Sequence, residues 1–377
     1  MVRVIFKGLL WCVIAVLTLE SCARLDDWIS YGASPFGLYD SSLLTTFDKM
    51  GQCGRPNARY LKWKMNSLGF RGPDLDPQAL RILCVGSSET FGQFETEGNE
   101  WPRRLERVLN ESVPPGRGYQ LVNTGLAGET FPTSVQRLPD RLAAVSPKFV
   151  LMYPSLAHYL SIPTLHAFVS PPPQTVFRWR MQGRIETALK QSMPMWLQTW
   201  LRQRQINRAL GSDSQFDDMP LEYRQAFCKD LETAVDLSRK AGAEPVLITH
   251  ANRFKDRIEP SERFMLVSWH KFYPMLREDA FLRMEASMND VMRQVARDQS
   301  VLLIDAAQAM PSGPAYFADF VHFNDKGSAE FSQIVGDKLM PSLQSKEWPM
   351  MMKSFRNRVG SVSDRNRSEM PLTGRGR

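Results

Sequence analysis

Three residue types that could act together on an acyl group stand far apart in the chain. Ser88 lies just after an apolar run at residues 80–85, while Asp319 and His322 lie three residues apart near the C-terminus. A serine hydroxyl is a poor nucleophile until an imidazole takes its proton, and that imidazole needs a carboxylate to hold it in the correct tautomer. The pattern therefore predicts nucleophilic catalysis, with Ser88 as nucleophile, His322 as general base and Asp319 as its partner.

Residues 66–71 (Asn-Ser-Leu-Gly-Phe-Arg) resemble a stretch of exported, membrane-associated SGNH-like proteins, and three sequence blocks, taken in order, resemble the SGNH (GDSL-like) hydrolase superfamily. The three blocks are residues 86–92 (Gly-Ser-Ser-Glu-Thr-Phe-Gly), 123–130 (Asn-Thr-Gly-Leu-Ala-Gly-Glu-Thr) and 319–327 (Asp-Phe-Val-His-Phe-Asn-Asp-Lys-Gly). The resemblance covers about residues 81–340, apart from an insertion. It implies that Ser88, His322 and Asp319 form the catalytic triad, and that the backbone amides of Ser88 and Gly128 form an oxyanion hole.

One further block of that superfamily, which follows the third strand, differs in this chain. The superfamily usually carries Gly-x-Asn-Asp after the third strand, whereas residues 153–159 read Tyr-Pro-Ser-Leu-Ala-His-Tyr. The asparagine donates an oxyanion hydrogen bond, and the loss of one such donor can cost about 10²–10³ in rate. Ser155 and His158 can donate instead, or contact substrate. Otherwise the chain is a catalytically inactive SGNH-like module that binds glycan or scaffolds an envelope assembly.

Five short apolar runs alternate with helical patterns, and they predict the fold. Such alternation is typical of a parallel sheet covered by helices on both faces. We expect a three-layer α/β/α, flavodoxin-like domain with a five-stranded parallel sheet and one helical insertion. Ligands of such sheets bind at the carboxyl ends of the strands. The predicted strands are residues 80–85, 119–123, 149–153, 244–249 and 301–305, and the predicted helices are 101–110, 135–144, 221–241, 268–297 and 327–339.

The chain divides into four parts by composition. We expect a signal or lipoprotein-type segment at 1–22, an irregular extension at 23–80, the SGNH-like domain at 81–345 and a basic disordered tail at 346–377. The insertion spans about 161–218, and its apolar stripe at 193–210 packs on the parent domain, covers the substrate or faces a membrane. In the extension, residues 66–71 form a tight turn, or Arg71 contacts substrate.

The first 22 residues predict export. Arg3 and Lys7 precede an uncharged, mostly apolar run at residues 8–19, which is shorter than the ~20 residues that a membrane span needs. The run ends in Leu-Glu-Ser-Cys, which resembles a lipobox with Cys22 as the lipidation site, although the glutamate departs from it. An uncleaved anchor and a cleaved signal are the alternatives. Each places the chain in the cell envelope, membrane-anchored or periplasmic.

Charge and cysteine content narrow the partners. The net charge is +7, but the tail from residue 346 holds eight Lys and Arg against three Asp and Glu, so the rest of the chain is near neutral. This distribution gives little support to nucleic-acid binding. The five cysteines form no CxxC pair, and we expect no metal and no cofactor. A bridge between Cys53 and Cys228 is permitted in an oxidising compartment but nothing in the spacing requires it.

The predicted function is that of an exported serine esterase or acyl hydrolase. The resemblance and the export signal together imply an acylated carbohydrate or cell-envelope polymer as the substrate. Transfer of the acyl group to another sugar hydroxyl would use the same acyl-enzyme, so both reactions remain open. The membrane is a partner through the N-terminal anchor or lipid.

Overall fold

The computed structural model describes residues 2–31, 44–111, 113, 118–161, 179–210, 215–255 and 258–346. The strands are β1 Thr45–Asp48, β2 Gly51–Gly54, β3 Arg59–Tyr60, β4 Trp63–Lys64, β5 Leu80–Gly86, β6 Tyr119–Asn123, β7 Phe149–Tyr153, β8 Glu244–Ile248 and β9 Leu302–Ile304. The α-helices are α1 Val2–Tyr31, α2 Ser88–Phe91, α3 Trp101–Asn110, α4 Phe131–Val145, α5 Arg180–Ser192, α6 Met195–Leu210, α7 Leu221–Lys240, α8 Arg263–His270, α9 Phe281–Asp298, α10 Ala306–Ala309 and α11 Asp325–Lys346.

The central sheet has five parallel strands in the order β6-β5-β7-β8-β9. This order confirms the predicted α/β fold with its five-stranded parallel sheet. The first strand of this sheet in chain order, β5, lies between β6 and β7, so the order reverses beside it. In sheets of this kind the crevice next to such a reversal is where ligands bind.

Side chains that alternate along β5 build the two layers of core. Ile82 and Cys84 face one side, where they pack with α3 and α11, and Leu83 and Val85 face the other, where they pack with α4, α7 and α9. A strand buried on both faces reads as a continuous apolar run, which explains why the sequence pattern identified this strand.

The segment before the sheet is more ordered than its sequence suggests. Helix α1 runs without a break from Val2 to Tyr31, and two short antiparallel hairpins, β1–β2 and β3–β4, follow it. Residues 5–29 of α1 are long and apolar enough to cross a membrane by length and composition. Cys22 is exposed within this helix, and Cys53 and Cys228 are both free. Lipidation of Cys22 stays a prediction.

The insertion contributes two helices, α5 and α6. Helix α5 packs against α1, and α6 packs against α8. Two carboxylates of α1 hold α5: Glu20 accepts hydrogen bonds from the backbone amides of Arg180 and Met181 at 2.8 and 2.9 Å, and the buried Asp27 pairs with Arg180. Residues 162–178 and 211–214 of the predicted insertion lie outside the described residues, as do residues 347–377 of the tail.

The predicted helix at 268–297 is wrong in part. The chain forms α8 as far as His270, leaves helical geometry around Pro274 and resumes with α9 at Phe281. Proline lacks an amide hydrogen and disfavours helical geometry in the residue before it, so it interrupts the helix here. The interruption brings Phe272 and Tyr273 to the cavity described below.

Candidate active site

The candidate nucleophile lies at the carboxyl edge of the sheet. Strand β5 ends at Gly86, and Ser88 begins the short helix α2. The next loop passes so close that a Cβ atom on Gly125 would lie 2.6 Å from the amide nitrogen of Phe91 and 2.9 Å from the carbonyl oxygen of Ser87. Only glycine permits that approach, which brings the loop after β6 alongside the Ser88 turn.

Ser88, His322 and Asp319 form one hydrogen-bonded series. The Oγ of Ser88 lies 2.8 Å from Nε2 of His322, and Nδ1 of His322 lies 2.8 Å from Oδ2 of Asp319. The Oδ1 of Asp319 also accepts the backbone amides of Val321 and His322 at 3.0 and 2.9 Å. These hydrogen bonds from backbone amides fix the carboxylate. The three residues from Asp319 to His322 thus form a tight turn that directs the ring towards Ser88.

The environment of His322 makes it a stronger base than a free histidine. Burial opposes protonation, but the hydrogen bond and charge of Asp319, with smaller contributions from Glu89 and Glu95, outweigh it and raise the pKa of His322. The ring also lies against Phe94, with ring centroids 5.2 Å apart. A general base needs this combination of reach to the hydroxyl proton and a stabilised imidazolium.

Gly128 lies in the loop between β6 and α4 and lines the same cavity as the triad residues. Its φ of +81° is in the left-handed region that favours glycine. Within the described part of the chain, neither the Ser88 amide nor the Gly128 amide donates a hydrogen bond to another protein group. Both residues line the cavity that contains Ser88, so both amides are available to a ligand there.

The structure places Ser155 and His158 in that cavity as well. Ser155 follows β7 and is buried, at the place where the superfamily's asparagine is missing. Burial lowers the pKa of His158, so its ring is neutral and carries one N–H, and a hydrogen bond links the ring to the backbone of Glu129. A neutral ring that donates to a backbone carbonyl has only an acceptor nitrogen left, which makes Ser155 the better placed donor.

A second series of polar side chains was missed by the sequence analysis. Glu89, His250 and Glu285 are each no more than 2% exposed. The Nδ1 of His250 lies 2.8 Å from Oε2 of Glu285, and its Nε2 lies 3.3 Å from Oε1 of Glu89. Asn289 brackets the backbone of His250 with two hydrogen bonds of 2.8 and 2.9 Å.

Charge is shared along this second series. Burial alone would lower the pKa of His250, but the carboxylates of Glu285 and Glu89 outweigh it and raise that pKa to about 10. Burial would likewise raise the pKa of Glu89, but the hydrogen bond and positive charge of His250 hold it well below its usual range. At neutral pH the series therefore holds an imidazolium between two carboxylates.

The cavity has a volume of about 340 Å³ and opens onto the triad. Its polar groups lie at the sheet edge, and much of the remaining wall is aromatic. The aromatic side chains that line it are Phe94, Trp269, Phe272, Tyr273 and Phe320. Among the described residues, no group of three or more His, Cys, Asp or Glu side chains is placed so that it could hold a metal ion.

Arg71 takes part in the structure behind the nucleophile. Its guanidinium donates to the carbonyl oxygens of Phe91 and Gly92 and to Glu100. The Oδ1 of Asn66 accepts two backbone amides of the preceding turn, so the turn predicted at residues 66–71 is present. Arg71 is not among the described residues that line the cavity. This favours a role for Arg71 in stabilising the turn over contact with substrate.

A scan against protein-family models and a search of curated protein sequences find no match for the chain. Solved structures that it resembles include a lipase/acylhydrolase from Enterococcus faecalis, at 14% identity over 69% of this chain and 94% of that one, with a TM-score of 0.41. Another is the psychrotrophic esterase EstA from a Pseudoalteromonas species, at 14% identity over 70% and 99%, with a TM-score of 0.41. A third is a member of the lipolytic protein G-D-S-L family from Veillonella parvula, at 13% identity over 68% and 96%, with a TM-score of 0.36.

Proposed function

We propose that the chain is an exported serine esterase that cleaves an acyl ester through Ser88, His322 and Asp319. The observation that carries this proposal is the distance of 2.8 Å from Ser88 Oγ to His322 Nε2, in a ring whose other nitrogen is held by Asp319. Nucleophile, base and orienting carboxylate are thus within direct hydrogen-bond reach of one another.

In the first half of the reaction, Ser88 Oγ attacks the acyl carbon while its proton moves to His322 Nε2. Negative charge develops on the acyl oxygen, where the amides of Ser88 and Gly128 and the hydroxyl of Ser155 can donate hydrogen bonds. The His322 imidazolium then gives its proton to the leaving alkoxide. This breaks the ester bond, releases an alcohol and leaves the acyl group on Ser88.

In the second half, His322 takes a proton from an incoming hydroxyl, which attacks the acyl-enzyme. The bond from the acyl carbon to Ser88 Oγ then breaks, and Oγ takes the proton from His322, which restores both residues. Water as acceptor gives a carboxylic acid, and a sugar hydroxyl gives a new ester. The chemistry at Ser88 is the same in both cases, so the acceptor depends on what the cavity admits beside the acyl group.

An acylated carbohydrate or cell-envelope polymer is the substrate class that we propose. It rests on the sequence resemblance and on the apolar N-terminal helix, which would bring the domain to the envelope. The cavity is consistent with it, because the aromatic side chains Trp269, Phe272 and Phe320 can pack against the apolar face of a sugar ring.

A fluorophosphonate probe tests the nucleophile directly, because it forms a covalent adduct only with an activated serine. We expect mass spectrometry of the labelled protein to place one adduct on Ser88, and Ser88→Ala to lose it. Ser87→Ala is the matched control, since Ser87 is the adjacent serine and is buried at 1% exposure. It should keep the adduct.

Absence of any adduct in the wild-type protein would favour the second candidate, a non-catalytic module. The observation behind that alternative is the missing asparagine after the third strand of the sheet, in residues 153–159. A module would still bind acylated glycan, so retention of the wild-type protein on an immobilised acetylated polysaccharide, without release of acetate, would support it.

A further inference from the structure

We propose that Glu89 is a further catalytic residue, which touches the nucleophile directly and acts with His250 and Glu285 to strengthen His322 as a base. The proposal rests on the proposed function, because it assigns Glu89 a part in the same reaction at Ser88.

The geometry gives Ser88 two partners rather than one. Its Oγ lies 2.8 Å from His322 Nε2 on one side and 3.2 Å from Glu89 Oε2 on the other. A hydroxyl has a single proton, so it donates to one of these groups at a time. When His322 is protonated, its Nε2–H donates to Ser88 Oγ, and the hydroxyl proton is then free to point at Glu89.

His250 keeps Glu89 ionised, and in this form Glu89 can accept a hydrogen bond from the Ser88 hydroxyl. A lone buried carboxyl would become neutral, but Glu89 Oε1 faces the His250 ring, whose other nitrogen is held by Glu285 at 2.8 Å. The imidazolium of His250 therefore balances the charge of Glu89 inside the protein. His250 and Glu285 are positioning residues, since they act on Ser88 only through Glu89.

The effect on the reaction follows from the charge of Glu89. When Ser88 attacks, its proton moves to His322 Nε2 and an imidazolium forms beside Asp319. Glu89 adds a second nearby anion, which stabilises that imidazolium and makes proton transfer more favourable. No proton needs to pass to Glu89, so the proton balance of the acylation step is unchanged.

Other charged or titratable groups also face His322. Asp319 lies on the same loop as His322, Glu95 lies on the loop after α2, and His158 lies in the short 3-10 helix after β7. His250, which follows β8, lines the same cavity. Burial raises the pKa of Glu95 to about 7, so Glu95 changes its charge in the pH range in which His322 is also expected to titrate. A test of Glu89 must therefore compare variants over the full pH range and not at one pH.

The experiment measures the rate of Ser88 labelling by a fluorophosphonate as a function of pH in the full chain. In the wild type, labelling should fall on the acid side as His322 takes a proton. In Glu89→Gln, which keeps the side-chain shape without its charge, we expect the midpoint to move to lower pH by about one unit, the size of effect that a nearby charge produces. The slope should remain that of one group.

His250→Gln provides a second variant should Glu89→Gln fail to fold. Removing the imidazolium leaves Glu89 buried without a cation, so its pKa rises and the neutral carboxyl should shift the midpoint in the same direction. Asp230→Asn is the matched control. Its carboxylate is also partly buried and accepts the Tyr159 hydroxyl at 2.6 Å, but it lies outside the cavity, so the midpoint should not move.

The outcomes separate the two proposals. Labelling of the wild type with an unmoved midpoint in both Glu89→Gln and His250→Gln overturns the role of Glu89 and leaves the serine esterase standing. A wild type that never reacts overturns the esterase, and the role of Glu89 falls with it. A lower midpoint in either variant, with Asp230→Asn unchanged, supports the proposal.

Discussion

At the scale of single residues, the proposed mechanism leaves the third oxyanion donor to be assigned. Ser155 has a hydroxyl that can donate into the cavity, whereas the neutral His158 ring is linked to the Glu129 backbone. We expect Ser155→Ala to lower kcat by about 10²-fold with little change in KM, because an oxyanion bond forms mainly in the transition state. Steady-state kinetics on an aryl acetate would measure this.

His158→Ala is the companion variant. If the hydrogen bond to Glu129 is its only role, kcat should fall by less than about tenfold. A decrease of that size is smaller than the one that the loss of an oxyanion donor produces. A large loss of kcat in His158→Ala with a normal Ser155→Ala would reverse the assignment, and a change in KM alone would place His158 against the substrate.

Sequence reasoning reaches some of these residues and not others, for a physical reason. Asp319 and His322 are neighbours in the chain, so their spacing alone suggests a pair. His250 is 161 residues from Glu89 and 35 from Glu285, and each of the three has an ordinary local context. Only the fold brings them together, and the two carboxylates then give His250 its charge. No pattern along the chain carries that information.

At the scale of elements, the strands were the easiest part to predict. Strand β7 matches residues 149–153 exactly as expected from an apolar run buried on both faces, and β5 extends one residue beyond its predicted end. The two N-terminal hairpins were missed because strands of two to four residues are too short to show a period. Their edges are also partly exposed, which removes the apolar signal.

The turn at residues 66–71 has a consequence for activity that can be measured. Arg71 is 4% exposed and connects that turn to the end of α2 and to Glu100. Arg71→Lys keeps the positive charge but replaces the planar guanidinium by a compact ammonium, which cannot reproduce the geometry of the three contacts. We expect the free energy of unfolding to fall by about 3 kcal/mol, as for other broken buried pairs, and kcat to fall with KM nearly constant.

Urea unfolding and steady-state kinetics together check this prediction. Arg81→Lys serves as a control, because it makes the same change on β5 away from the nucleophile. An increase of KM at constant kcat in Arg71→Lys would instead indicate contact between Arg71 and substrate.

At the scale of the whole molecule, the N-terminal helix joins the domain through the insertion. Glu20 caps the start of α5, so cleavage before Cys22 would remove that cap and leave two backbone amides without their acceptor. We therefore expect the mature chain to keep residues 1–22 as an anchor. Intact-mass spectrometry of the membrane fraction would show the full mass without a fatty acid.

Lipidation of Cys22 is the competing outcome. It would give a chain that begins at Cys22, and a fatty-acid analogue would label the wild type but not Cys22→Ser. Cys12→Ser provides a matched control, since Cys12 is exposed on the same helix and should not affect labelling under either outcome.

The joint between α1 and α5 also sets an order of assembly. The acidic groups Glu20 and Asp27 leave the ribosome more than 150 residues ahead of Arg180, with which both make contact. Until then Asp27 lacks the arginine that pairs with it, and Glu20 has Arg24 of its own helix as its partner. Charged groups of this kind strongly favour water over hydrocarbon. If α1 enters a bilayer, we therefore expect these charged groups to limit how far its apolar part inserts while the rest of the chain is made. When α5 is made, the two α1 side chains that bind it, Glu20 and Asp27, would then already lie at the boundary between the membrane and water.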